Sequence, residues 1–124
     1  MRIFKNAWFE RFACRQKIPD AVLRDAIRRA EQGLIDADLG DGVIKHRVAR
    51  PGQGRSGGYR TLIVYRQAQR AFFVYGFAKS QQANMGDEEE AAFKKAARHV
   101  LELTDEQLAA LIQNGQFSEV DEDG

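Results

Sequence analysis

Cys14 is the only cysteine among 124 residues, so no disulfide can form within the chain. A lone thiol in a helical stretch reads as a small buried hydrophobe rather than a nucleophile. The sequence has two histidines, His46 and His99, and no paired Cys/His spacing, so no metal-ligand pattern is present. Two prolines and no low-complexity tract argue against disorder over most of the length. No apolar run approaches the roughly 20 residues of a membrane span. The opening MRIFKNAWFERF lacks the apolar stretch of a signal peptide. The expectation is therefore a cytoplasmic protein without a membrane partner. Glycines occur, but not as GxxxxGK[ST] or as GxGxxG ahead of a helix, and no GxSxG elbow exists. Nucleotide-loop and hydrolase-elbow readings fail on that ground.

A hydrophobic fraction of 44% is enough for a core, and the length suits one domain. The net charge of +1 hides an asymmetry. Residues 1–80 carry +9 and residues 81–124 carry −8. A basic body with an acidic end points to a polyanionic partner, or to charge complementarity within the molecule.

The chain is organised around Pro51–Lys79, PGQGRSGGYRTLIVYRQAQRAFFVYGFAK. Gly52, Gly54, Gly57 and Gly58 make a loop that can approach a phosphate backbone closely, with Arg50, Arg55 and Arg60 around it. Two runs rich in β-branched and aromatic residues follow, Tyr59–Arg66 and Arg70–Lys79, joined by a turn over Gln67–Gln69. Both runs are apolar on both faces, which predicts central strands with cover on each side.

Ahead of this hairpin, Arg2–Phe4 reads as a short strand and Asn6 as the cap of a helix from Ala7. Trp8, Phe9 and Phe12 give that helix an apolar face. A second helix runs from Pro19 or Asp20 to Gln32, with Val22, Leu23, Ala26, Ile27 and Ala30 as its stripe and Gly33 after its end. Leu34 and Leu39 are expected to tuck the next loop onto the core. Val43–Arg50 alternates: Ile44 and Val48 face the core, while Lys45 and Arg47 stand side by side on the open face. His46 falls with the apolar set and reads as a satisfied buried or edge histidine rather than a catalytic base. After the hairpin, Glu88–Glu90 begin a third helix. Thr104 and Gln107 form a capping box for a fourth, and Phe117–Val120 reads as a small last strand.

The chemistry left is a cluster of cations and phenols on a sheet: Lys45, Arg47, Arg50, Arg55, Arg60 and Lys79, with Tyr59 and Tyr75. Such groups grip phosphates and stabilise developing negative charge. They can also promote metal-independent RNA cleavage, because RNA carries its own nucleophile, the 2′-hydroxyl. Arg60 at a strand start can instead pair with an acidic neighbour such as one of Glu88–Glu90.

The GxGRSGGYRTLIVYR of Gly52–Arg66, the FFVYGFAKS of Phe72–Ser80, Asn84 and the KxR of Lys45–Arg47 together resemble the RelE-like toxins of bacterial type II toxin–antitoxin modules, close to HigB-type members. The resemblance covers about residues 1–103, with 104–124 as a C-terminal helix, short strand and acidic end packed on or trailing the same domain. It implies an α/β (α+β) fold: two N-terminal helices on a twisted, mostly antiparallel sheet of about four strands, with C-terminal helices. It implies an endoribonuclease that cuts mRNA on the ribosome without a cofactor and is neutralised by a helix-turn-helix antitoxin. Transferred to this sequence, Arg60 contacts the scissile phosphate. Lys45 and Arg47 position RNA or assist proton transfer, and Lys79 joins them as the fourth catalytic candidate. Arg50 and Arg55 hold flanking phosphates, and Tyr59 and Tyr75 stack bases or move protons. The alternative is a catalytically inactive module that keeps antitoxin or RNA binding.

Overall fold

The computed structural model describes residues 1–50, 54–66, 69–78 and 87–120, with the side chains of residues 50, 54–57 and 87 outside the description. Lys79, Asn84 and the acidic end 121–124 therefore lie outside the described residues, as do the side chains of Arg50 and Arg55.

The element order is β1 (Arg2–Asn6), α1 (Ala7–Gln16), α2 (Asp20–Glu31), β2 (Ala37–Gly40), β3 (Val43–Arg50), β4 (Gly54–Arg66), β5 (Arg70–Ala78), α3 (Asp87–Leu101), α4 (Asp105–Gln113) and β6 (Phe117–Glu119). The strands form one six-stranded sheet in the order β2-β3-β4-β5-β1-β6. This corrects the expected sheet of about four strands. β1 enters beside β5 and runs parallel to it, while the other pairings are antiparallel. β4 also begins earlier than the expected Tyr59, since its glycine-rich first half continues the strand.

Local chemistry sets the helix ends. The Asn6 side chain accepts the Phe9 N–H at 2.8 Å and donates to the Val74 carbonyl at 3.1 Å, so one residue starts α1 and ties it to β5. At α4 the expected capping box is present, with Gln107 N–H donating to Thr104 Oγ1 and Thr104 N–H to Gln107 Oε1.

The sheet has a core on each face. α1 and α2 cover one, burying Phe9, Phe12, Leu23 and Ile27 against Ile44, Val48, Ile63 and Phe73. On the other face Ala97, Leu103 and Leu108 from the C-terminal region join Phe4, Val43, Leu62, Val64 and Phe72. The C-terminal region thus belongs to the second core, and β6 extends the sheet beyond β1.

Two side chains depart from expectation. Cys14 is exposed. The buried face of α1 is Phe9, Phe12 and Ala13, and the next residue is turned about 100° away from it. Leu34 is also exposed, at 60%, and does not tuck inward. The segment after it forms strand β2, leaving Leu39 to pack against the second core.

Candidate functional site: a cation pair on the sheet

The alternation of β3 holds. Ile44, His46 and Val48 are buried, whereas Lys45 and Arg47 are half-buried on the opposite face, which is not open as expected, because Val43 on the same face lies in the second core. β4 brings Arg60 directly across from Arg47, and Leu62 across from Lys45. Two like charges facing one another in a sheet repel, so this position calls for a counter-charge. Asp36 supplies it. Arg60 Nη1 donates to Asp36 Oδ2, and the same oxygen lies 3.7 Å from Arg47 Nε. The backbone fixes the carboxylate, because the Asp36 N–H donates to the Lys45 carbonyl at 3.1 Å just ahead of the β2–β3 pairing. Arg60 thus has an acidic partner, but it comes from the residue before β2 and not from Glu88–Glu90. Glu90 instead bridges to Lys94 at 3.2 Å.

Arg47 is also held from behind: Arg29 on α2 donates to its carbonyl through Nη2 at 3.2 Å. Across β5, Phe77 stands opposite Arg60 and Tyr75 opposite Leu62. The Tyr75 ring packs on Trp8 at 4.7 Å and Phe93 at 5.6 Å. An open cleft of about 320 Å³ between α1 and β5 is lined by Trp8, Phe12, Arg15, Gln16, Tyr75, Gly76 and Phe77.

Tyr59 lies elsewhere. It is 2% exposed in the core beneath α1, and its hydroxyl donates to Gln16 Oε1 at 2.8 Å. Its partners on β3 and β5 are Val48 and Ala78. His46 is likewise in that core, 1% exposed, with Nε2 2.8 Å from the Ala26 carbonyl, but its buried Nδ1 has no hydrogen-bond partner, so the ring is only half satisfied and not fully as expected. Burial is the main cause that lowers its pKa, opposed by the Ala26 hydrogen bond. Among the described residues no group of three or more His, Cys, Asp or Glu side chains could hold a metal ion.

The structure thus brings Lys45, Arg47 and Arg60 onto one face, with Tyr75 on the neighbouring strand β5, and sets Tyr59 on the other face. Asp36 was missed from sequence. It sits in a stretch read as a loop, and nothing local marks it as a partner for residues 11 and 24 positions away.

No helix among the described residues is long and apolar enough to cross a membrane. No curated protein is significantly similar to the chain. A protein-family model described as the RelE toxin of the RelE/RelB toxin–antitoxin system matches residues 1–120, well beyond the 1–103 expected from the motifs. With an α+β fold, a cation pair where the family-like motifs lie, and a match over nearly its whole length, the chain belongs to the RelE toxin family.

Proposed function

We propose that this chain is the toxin of a type II toxin–antitoxin module and acts as a metal-independent endoribonuclease on mRNA at the ribosome. The observation that carries the reading is the Arg47–Arg60 pair, two guanidiniums facing each other across β3 and β4 beside Lys45. A guanidinium holds two phosphate oxygens in a planar fork, and a pair of them stabilises the extra charge of a pentacoordinate phosphorus.

In this reading the RNA 2′-hydroxyl attacks the adjacent phosphorus and the 5′-oxygen of the next nucleotide leaves. The products are a 2′,3′-cyclic phosphate and a free 5′-hydroxyl. Arg60 binds the scissile phosphate, Arg47 shares its charge, and Lys45 positions the chain or assists proton transfer. Lys79, Arg50 and Arg55 are proposed to join them on the basis of sequence alone. Tyr75, beside the cleft on β5, is proposed for base stacking on the basis of sequence, and a base would have to extend or replace its existing packing on Trp8 and Phe93. Tyr59 is left out of this set, because its ring and hydroxyl are already used in the core. The partner is a protein antitoxin, as the family description of a toxin–antitoxin system supports.

The test is expression of the chain alone in a bacterium, followed by mapping of message ends. Growth arrest with new 5′-hydroxyl ends in translated messages is expected. Normal growth with abundant folded protein would favour the binding module without cleavage.

A further inference from the structure

Asp36 occupies the place that an incoming anion needs. Its Oδ2 takes the Arg60 hydrogen bond and sits near Arg47 Nε, so phosphate and carboxylate compete for the same donors. The Asp36 and Arg60 side chains are only 24% and 23% exposed, withdrawn from bulk water yet reachable from it. The carboxylate is no loose visitor, because its backbone is tied to Lys45 and the next residue pairs within the sheet. Among the described residues it is the one carboxylate in ion-pair contact with either arginine.

We infer that Asp36 is a specificity-determining residue: an internal carboxylate that keeps single small anions off the Arg47–Arg60 pair and yields only to a phosphate carried by a longer polyanion. The inference rests on the reading that these arginines hold RNA phosphate. A tethered carboxylate acts at a high effective concentration, which free phosphate in solution does not match. A nucleic-acid strand does match it. Once neighbouring phosphates engage cations such as Lys45, the next phosphate is also delivered by a tether. The guanidinium then exchanges a carboxylate for a phosphate with suitable fork geometry. Removal of the competitor leaves a pair of facing arginines with no built-in counter-ion, which takes any phosphate.

The experiment uses the full chain as wild type, Asp36→Asn, Asp36→Glu and the double variant Asp36→Asn/Arg60→Ala. Asparagine keeps the size and can still accept a hydrogen bond, but carries no charge. Two probes are titrated: inorganic phosphate, and a short single-stranded RNA with 2′-O-methyl groups that block cleavage. A melting curve accompanies each variant, and Asp36→Ser replaces Asp36→Asn if the latter does not fold. Asp36→Asn is expected to bind inorganic phosphate about tenfold or more tightly than wild type, the scale of one hydrogen bond to a charged group. RNA affinity should rise by less, since the strand already displaces the carboxylate. Asp36→Glu should keep phosphate excluded, and the gain should vanish in the double variant.

Unchanged or weaker phosphate binding by a folded Asp36→Asn protein overturns the inference. A gain that survives loss of Arg60 also overturns it, because that would be a general charge effect. An Arg60-dependent gain in phosphate affinity, in a protein whose unblocked RNA is never cut, supports the competing carboxylate and counts against the ribonuclease reading.

Discussion

Arg60 on β4 and Asp36 ahead of β2 form an ion pair that reaches across β3, through Arg60 Nη1 and Asp36 Oδ2. The pair makes Arg60 both a structural partner and the best-placed phosphate ligand, so the two roles must be separated by measurement. Arg60→Ala is expected to lower ribosome-dependent cleavage of a defined message by about 100-fold or more, as when one transition-state donor is lost. It should also destabilise the fold by about 1 kcal/mol, since Asp36 keeps a weaker contact with Arg47 at 3.7 Å. Arg60→Lys should recover little cleavage, because a point charge lacks the fork. Full activity in folded Arg60→Ala would remove Arg60 from the catalytic set.

Leu108 tests the C-terminal region. It is fully buried in the second core, and β6 after it pairs with β1. Leu108→Ala should cost about 2–5 kcal/mol, read from the denaturant midpoint, by loss of transfer energy and creation of a cavity. A change within experimental error would mean that α4 does not hold the sheet in solution.

His46 predicts an acid sensitivity. Its ordinary pKa is 6.5, and burial lowers it in the folded state. Below about pH 6.5 the unfolded chain takes up a proton that the folded one refuses. The stability associated with neutral His46 is complete above that pH and is lost as pH falls toward the folded value. The urea midpoint should therefore drop on going from neutral to mildly acid pH. An imidazole resonance of His46 titrating above 6.5 would contradict this account.

Cys14 should be open to reagents. It is exposed on α1, so one thiol per chain should react with a disulfide reagent in the native state, at a rate near that of the unfolded protein. Protection of the thiol until unfolding would place it in a contact not seen in the isolated chain.

Features decided within a few residues were legible in the sequence. The stripe of α2, the capping box of Thr104 and Gln107, the alternation of β3 and the burial of His46 all follow from periods of 3.6 or 2 and from side chains that bond to their own backbone. That Lys45 and Arg47 share a face follows from the same period of 2, whereas the arrival of Arg60 beside them was decided by the register of β4 against β3. The tertiary structure decided the rest. The place of β1 between β5 and β6 depends on which chain segment covers an open edge, which no local pattern encodes. Tyr59 went to the core because Phe12 and Gln16 on α1 stand over it. Asp36 became the counter-charge of two arginines because the sheet brought its edge to them. Coulomb attraction depends on distance in space, and only the folded chain sets that distance.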